Sequence, residues 1–220
     1  MVTCQGWYSG YHMTERHDTP AEPDRDTELF IDFANTLHGP GGDSLDDLSE
    51  ASGLGAWLAA HGLLPADTPA RGLERALPAF HELRTLVRDT TRRLVDDRRP
   101  SATQVRRLNR VLREGLHYHQ LEASEDGTRF IVGQVGDELD QARASIAGSL
   151  AHFVAEHDVD RLRVCAADDC GWRFTDRSPA GRRRWCDMRT CGNRAKVARH
   201  RARRRDAGDP SDLPERPARV

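Results

Sequence analysis

Four of the five cysteines in this 220-residue chain lie within one short stretch near its C-terminus. They form two pairs, Cys165 with Cys170 and Cys186 with Cys191; four residues separate the members of each pair, and fifteen residues divide the pairs. Two close pairs joined by a short hairpin suit one tetrahedral zinc ion, because each pair supplies two thiolates from a tight loop. The protein would then fill all four coordination positions, so the expected Zn²⁺ is structural rather than catalytic.

The expected compartment favours a metal site over other uses of these thiols. The N-terminal residues contain no apolar signal core and no run of about 18 apolar residues occurs, so the sequence predicts a cytoplasmic protein with no membrane partner. Disulfides are uncommon in that compartment, which leaves two disulfides or a redox set as the weaker alternatives. An iron–sulfur cluster also takes four cysteines, but it usually shows other spacings.

Positive charge is concentrated around the same cysteines. Residues 161–205 hold 15 Lys and Arg against four Asp, a net charge of +11, whereas the rest of the chain holds 18 positive and 31 negative side chains, a net charge of −13. This division predicts an acidic globular body joined to a basic segment that binds a polyanion. Arginine donors match phosphate oxygens, so DNA is the expected partner, with RNA as the alternative.

The candidate nucleic-acid contacts lie between the cysteine pairs and on a basic helix predicted after the last cysteine. They are Arg182, Arg183, Arg184, Asn193, Arg194, Lys196, Arg199, Arg201 and Arg203. Asn193 and Arg194 are the candidate base readers, because Asn suits adenine and Arg suits guanine in the major groove. Alternatively, Asn193 caps the helix and Arg194 pairs with Asp187 or with the acidic body.

The remaining elements must position this cysteine cluster. Apolar residues recur at helical spacing in five segments, which are residues 29–37, 44–62, 78–97, 101–115 and 137–158. Ser44 and Ser101 are the expected N-caps of the second and fourth helices, and Pro78 is expected in the first turn of the third. Residues 116–124 and 128–136 alternate around Glu125-Asp126-Gly127, which predicts a β-hairpin.

These elements predict an α+β chain with two folded units. A mostly helical domain with a β-hairpin is expected at residues 28–160, between a disordered leader at 1–27 and a small module at 161–205. The module should be a treble-clef-like or zinc-ribbon unit that ends in the basic helix, followed by a disordered tail at 206–220. Within the module, "WRFTD" and "RRRWC" are expected to pair around "RSPAG".

Two parts of the chain resemble known families. "CAADDC" followed by "WCDMRTCGNRAKVARHRARRR" is similar to the CGNR zinc finger, which is named for the tetrapeptide at residues 191–194. "LFIDFANTL" and "LGAWLAAHGLL" resemble the ABATE domain, which precedes this finger in a family of bacterial proteins regarded as stress-responsive transcription regulators. Together the resemblances cover about residues 28–205. They imply DNA binding through the finger and ligand sensing in the body.

Polar residues outside the cysteine cluster offer two other candidate sites. Asp32 and Asn35 lie on an otherwise apolar helix, so they could line a pocket for a small-molecule effector or bond to neighbouring backbone. His117 and His119 fall on the same face of a predicted strand and could ligate a metal, but no third ligand is apparent.

The sequence leaves four functions open. The first is a regulator that binds DNA through the zinc module, and a homodimer would suit paired half-sites. The second is an RNA- or ribosome-binding protein in which Trp172, Phe174 and Trp185 stack on bases. The third is an enzyme with a site in the helical body, although no catalytic motif is present to support it. The fourth is an autoinhibited chain whose basic segment docks on its acidic body.

Overall fold

The computed structural model describes residues 28–39, 45–97, 99–124, 126–156 and 159–206. The expected leader, nearly all of the expected tail and Ser44 lie outside these residues. The described chain is α+β, with a helical body and a small C-terminal module (residues 161–206) that ends in a helix, as the sequence predicts. None of the described helices is both long and apolar enough to cross a lipid bilayer.

The described residues contain six α-helices and six short strands. In chain order they are α1 (Leu29–Asn35), β1 (Leu37–His38), β2 (Leu45–Asp46), α2 (Ala51–Ala60), α3 (Ala70–Asp97), α4 (Ala102–Glu114), β3 (Tyr118–Ala123), β4 (Phe130–Val135), α5 (Glu138–Glu156), β5 (Leu162–Val164), β6 (Arg173–Thr175) and α6 (Asn193–Asp206). A 3₁₀ turn at Val159–Arg161 precedes β5, and a π-turn at Met188–Gly192 precedes α6. The strands pair antiparallel as β1–β2, β3–β4 and β5–β6.

The core of the body lies between α1, α3 and α5. Helix α1 has only seven residues, far below the roughly 12 to 15 at which an isolated helix becomes marginally stable. Packing supplies its stability, because Phe30 and Phe33 are fully buried. The Phe33 ring lies 5.3 Å from that of Trp57 in α2 and 6.3 Å from that of Phe80 in α3. This short helix is therefore held in place by the helices around it.

Two predicted helix starts are wrong. Helix α3 begins at Ala70 rather than at Pro78, which lies inside the helix. Leu73 is buried on the same face as Phe80, two turns later, so core packing outweighs the hydrogen bond that proline cannot donate. Helix α2 begins at Ala51, and the residues expected to open it form β2 instead.

An ion pair explains why β2 replaces the first turn of the predicted helix. The Arg84 guanidinium of α3 holds both carboxylate oxygens of Asp46, at 2.5 and 2.6 Å. The same guanidinium donates to the Thr36 hydroxyl at 3.1 Å. The hydrogen bonds from Arg84 lower the pKa of Asp46, which favours the charged carboxylate that this pairing needs. The extended segment is thus clamped onto α3.

Other local predictions are confirmed. Ser101 caps α4 in a capping box with Gln104, with hydrogen bonds of 3.2 and 2.8 Å. The β3–β4 hairpin forms in the predicted place and runs in register from Tyr118↔Val135 to Ala123↔Phe130. The hairpin predicted within the C-terminal module is wrong, because β6 pairs with β5 rather than with "RRRWC".

Candidate metal centre

The four cysteine sulfur atoms of the C-terminal module lie close together. All four Sγ atoms lie within 4.8 Å of one another. The Sγ atoms of Cys170 and Cys186 are 3.6 Å apart, and those of Cys186 and Cys191 are 3.7 Å apart. Cys165 and Cys191 are buried, and the other two are half-buried. Within the described residues this is the one group of His, Cys, Asp and Glu side chains that could hold a metal ion.

These separations fit a zinc ion and do not fit disulfides. With Zn–S bonds of about 2.3 Å, the edges of a tetrahedral four-sulfur site measure about 3.8 Å. A disulfide would bring two sulfur atoms to about 2.05 Å, and all four thiols are free. The cluster predicted from cysteine spacing can therefore hold one zinc ion.

The electrostatics of the cluster also call for a cation. Burial raises the pKa of the Cys170 thiol to about 11, and it raises the pKa of Cys186 as well. At Cys191 burial raises the pKa too, but hydrogen bonds from Arg194 and from the neighbouring thiols outweigh it and leave the pKa lowered. Four adjacent thiolates would repel one another, so the fully ionised set needs a positive ion at its centre.

The first cysteine loop (residues 165–170) is fixed by the β5–β6 pair. The backbone N–H of Cys165 donates to the carbonyl of Trp172 at 2.8 Å, and that of Cys170 donates to the carbonyl of Ala167 at 3.1 Å. Gly171 then reverses the chain with a φ of +62°, a backbone conformation that residues with a side chain rarely adopt. The first two thiols are thus set at the end of a short hairpin.

The second cysteine loop (residues 186–191) leads into α6 through the π-turn. The Asp187 carboxylate accepts hydrogen bonds from two backbone N–H groups of that turn. A Cβ added at Gly192 would lie 2.9 Å from the Met188 sulfur atom, so only glycine fits there without displacing that side chain. Cys191 lies in the π-turn, directly before the basic helix that was predicted to follow it. The last thiol therefore lies just before the N-terminus of α6.

The two candidate base readers bond to the module itself. The Asn193 side-chain amide donates to the carbonyl four residues earlier at 3.0 Å. The Arg194 guanidinium pairs with Asp169 at 3.1 Å and donates to the Cys191 Sγ atom at 3.2 Å. Asp169 belongs to the first cysteine loop, so Arg194 connects the two pairs. Its partner is Asp169 rather than the Asp187 considered from sequence.

A buried carboxylate that the sequence analysis did not single out shapes the segment between the pairs. Asp176 accepts hydrogen bonds from the Ser178 hydroxyl at 2.6 Å and from the Arg183 backbone N–H at 2.8 Å. These bonds, the one from Ser178 above all, lower the pKa of Asp176 to about 2. The Arg183 guanidinium donates to the carbonyls of Trp185 and Cys186. The D-x-S order in "TDRS" is the signal that could have identified this turn.

The module is anchored to the helical body through β5 and β6. Leu162 is fully buried in the core of the body. Asn35 of α1 donates to the Arg173 carbonyl at 2.9 Å and accepts from the Arg173 N–H at 2.8 Å. The buried Arg173 guanidinium donates to the Thr91 hydroxyl at 3.2 Å and to the Arg88 carbonyl at 3.1 Å. Burial lowers the pKa of Arg173 to about 9. The hairpin of the module is therefore joined to the body by the buried Leu162 side chain and by buried hydrogen bonds.

Helix α6 presents its cations to solvent. Lys196, Arg199, Arg201 and Arg203 are all exposed. Arg182 and Arg184 are also exposed, and the Arg184 guanidinium lies 5.0 Å from the centre of the Trp185 ring. These side chains lie along α6 and on the neighbouring segment between the cysteine pairs. These exposed cations are thus accessible to a partner.

Comparison with protein families agrees with this architecture. A model of the CGNR zinc finger matches residues 161–204. A model of the ABATE family, described as "Putative stress-induced transcription regulator", matches residues 27–157, more than half of the chain. The chain belongs to the ABATE family. Both resemblances drawn from the sequence are therefore confirmed. A search of curated proteins found no match to the chain.

The two candidate pocket residues of the ABATE domain have different surroundings. Asp32 lines an open groove of about 1000 Å³, and its carboxylate lies 3.8 Å from the Nε2 atom of His61. Burial raises the pKa of Asp32, and the attraction of His61 partly opposes the rise. Asn35 is buried and bonds to the Arg173 backbone, so the two side chains do not meet in one pocket. An effector in the groove stays a prediction.

The remaining sequence candidates have structural contacts. The His117 and His119 rings meet edge to face, 5.9 Å apart, and no third ligand joins them within the described ranges. Phe174 is buried in the small core around the cysteines, and Trp185 packs half-buried against it. Trp172 exposes 37% of its surface, so it is the most accessible ring of the three named for base stacking.

Proposed function

We propose that the chain is a transcription regulator whose zinc-loaded finger binds DNA. In this proposal Cys165, Cys170, Cys186 and Cys191 hold one structural zinc ion. The observation that carries the proposal is that this thiol cluster lies at the root of a helix with exposed cations. The segment between the cysteine pairs has only a small apolar core, so zinc binding would contribute roughly 10 kcal/mol to its folding.

Six of the exposed cations of the finger are the proposed DNA contacts. They are Arg182, Arg184, Lys196, Arg199, Arg201 and Arg203. Lys196, Arg199 and Arg203 are three and four residues apart, so they follow one face of α6. The helix is about 21 Å long and would fit the major groove, which is about 12 Å wide. We give Arg183, Asn193 and Arg194 positioning roles, because their polar groups bond within the finger.

The charge division orients the proposed complex. Residues 161–205 carry a net charge of +11 and the rest of the chain −13, so phosphates would be attracted to one side of the molecule and repelled by the other. We propose that residues 28–160 act as the sensing body and residues 161–205 as the DNA-binding unit. The family description, which names transcription regulation, supports this division of labour.

The salt dependence of binding tests the proposal. Zinc-loaded full-length protein is titrated into labelled duplex DNA of mixed sequence while fluorescence anisotropy is followed at rising NaCl. Six phosphate contacts would give a slope of about −5 for the logarithm of the affinity against that of the salt concentration. Replacing Arg199→Gln and Arg203→Gln together should reduce the slope by about 2. The matched control is Arg106→Gln with Arg110→Gln on α4, which removes the same charge from the body.

Three results would count against DNA binding by this surface. One is the absence of binding at low salt by zinc-loaded protein. Another is an equal loss of slope in the α4 control, which would indicate a response to net charge alone. The third is displacement of the DNA by structured RNA at a tenfold or more lower concentration, which would make RNA the partner.

A further inference from the structure

Three arginine side chains lie close together where the helical body meets the finger. Arg88 and Arg92 belong to α3, and Arg173 belongs to β6. A Cβ atom added at Gly171 would lie 3.4 Å from Arg88 Nη2 and 3.9 Å from Arg173 Nη1, so both guanidiniums reach the same point beside the first cysteine loop. Arg92 comes four residues after Arg88 and therefore lies on the same face of α3. We call Arg88, Arg92 and Arg173 the arginine cluster.

The charge of this cluster is not offset by a carboxylate. None of the ion pairs among the described residues includes a member of it. Burial above all, and then repulsion by Arg88 and Arg92, lowers the pKa of Arg173 to about 9. The attraction of the exposed Asp89 opposes this only in part. Partly buried like charges destabilise a fold unless an opposite charge offsets them, so the cluster suits an anion.

Arg84 shows how the same helix compensates such a charge elsewhere. It lies one turn before Arg88 on α3, and both carboxylate oxygens of Asp46 accept hydrogen bonds from its guanidinium. Arg88 and Arg92 continue this row toward the finger without such a partner among the described residues. The uncompensated charge is therefore specific to the part of the row that adjoins the finger.

The cluster has donors to offer to an anion. Arg88 donates through Nη1 to two carbonyls at the end of α1, and its Nη2 makes no hydrogen bond within the described part of the chain. That Nη2 atom is not one of the buried polar atoms that lack a partner, so it meets solvent. Arg92 is exposed. Arg173 is only 5% exposed and donates to a hydroxyl and two carbonyls, so it contributes charge rather than contact.

We propose that the arginine cluster binds a phosphate group. Arg88 and Arg92 would donate to its oxygens, and the buried Arg173 would add a third positive charge beside them. A phosphate group is negatively charged and has several oxygens, so it can accept hydrogen bonds from two guanidiniums at once. A carboxylate has only two oxygens, and a single guanidinium can occupy both, as Arg84 does with Asp46.

The position of the cluster favours the DNA backbone as the source of this phosphate. Gly171, beside the cluster, directly follows the first cysteine loop. Asp169 of that loop pairs with Arg194 in the first turn of α6, at 3.1 Å. The cluster and the cationic helix are thus next to the same loop. Binding of a phosphate group does not depend on the proposed function, whereas the DNA backbone as its source rests on it.

Thermal unfolding of the zinc-loaded full chain tests the site, with inorganic phosphate as the probe. At about ten times a dissociation constant of about 2 mM, sodium phosphate should raise the melting temperature by about 3 to 5 °C relative to sodium chloride of equal ionic strength. Arg92→Gln should lose most of this rise. The variant should fold, because Arg92 makes no bond to any other described residue.

Two controls separate the cluster from other positive charges. Arg93→Gln removes the same charge from a neighbouring position of α3, where Arg93 pairs with Asp97 at the surface, and it should keep the rise. Arg199→Gln combined with Arg203→Gln should keep it as well, because the cluster does not involve α6.

The salt dependence of DNA binding identifies the source of the phosphate. If the phosphate belongs to the DNA backbone, Arg92→Gln should reduce the slope of the logarithm of the affinity against that of the salt concentration by about 1. Arg93→Gln should leave the slope unchanged. An unchanged slope in Arg92→Gln, together with a lost rise in melting temperature, would assign the site to a phosphate group of a small molecule.

Three results would overturn the proposal. They are the absence of a rise in the native chain, an equal rise in Arg92→Gln, and an equal loss in Arg93→Gln, which would indicate a response to net charge alone. A native chain that does not bind DNA would refute the proposed function but not this site, because the thermal test contains no DNA.

Discussion

One guanidinium connects the two halves of the thiol cluster. Arg194 pairs with Asp169 beside the first cysteine pair and donates to the Cys191 sulfur atom in the second. A positive group on a thiolate sulfur offsets part of its charge and fixes its direction, which is how residues next to a ligand tune metal binding. The arginine of the CGNR tetrapeptide thus has a structural role, which is to join the two cysteine loops.

Replacing this arginine should weaken zinc binding. In Arg194→Gln the ion pair to Asp169 is lost and the sulfur atom loses a charged donor, so we expect zinc affinity to fall about 10- to 100-fold. Competition with a chelator of known affinity measures the change. Arg199→Gln is the matched control, because Arg199 is an exposed arginine of the same helix that lies further along the chain from the cysteines. Equal affinities in the two variants would show that Arg194 does not support the metal.

For individual residues, the sequence predicts the metal ligands better than it predicts the residues that form hydrogen bonds around them. The four cysteines could be identified because their spacing is local and few other sites require it. Asp169 and Asp176 were not identified as structural, since their partners depend on how the two loops meet. Asn193 and Arg194 are candidate base readers by residue type, with bonds inside the finger as the alternative, and in the structure both side chains bond within the finger.

Helix α1 is the element that joins the body to the finger. It carries Asp32 on the groove and, one turn later, Asn35 on the backbone of β6. Arg88 of α3 donates to the Ala34 and Leu37 carbonyls, at 2.6 and 2.9 Å, and so satisfies the end of α1. A shift of α1 would therefore be felt by both the groove and the finger.

Removal of the Asn35 amide should loosen this junction. Asn35→Ala loses two hydrogen bonds and leaves the buried Arg173 N–H unpaired, so we expect a loss of about 2 to 3 kcal/mol in the free energy of unfolding. Urea denaturation of the zinc-loaded chain measures it. Asp32→Ala on the exposed side of the same helix should change stability by less than about 0.5 kcal/mol. Similar losses in both variants would contradict the assigned role of Asn35.

Helices and strands are predicted correctly where local sequence decides them and wrongly where packing in the core decides them. Helix α4 was predicted with its cap, because Ser101 and Gln104 act locally. The start of α3 was missed, since only the core explains why Pro78 is tolerated inside a helix. The β5–β6 pair was missed because burial of Leu162 in the body decides it, and that contact joins distant parts of the chain.

In the whole molecule, the division into acidic and basic parts does not coincide with the way the chain is packed. The acidic body and the basic finger carry opposite net charges, yet β5 and β6 of the finger are built into the body. The finger is therefore bonded to the body at its base, while the cations of α6 are exposed to solvent. Composition predicts the charge division, whereas the burial of Leu162 in the core of the body could be seen only in the structure.

Zinc should control DNA binding if the metal organises the proposed DNA-binding surface. Affinity for duplex DNA is measured by anisotropy at about 150 mM salt for the full chain as purified, after chelation, and after zinc is restored, with the metal content assayed each time. We expect one zinc ion per chain. We also expect the affinity for DNA to be at least about 30-fold weaker without zinc, because a segment that must fold on binding loses about 2 kcal/mol or more of its interaction energy. Undiminished binding by the zinc-free chain would contradict this expectation.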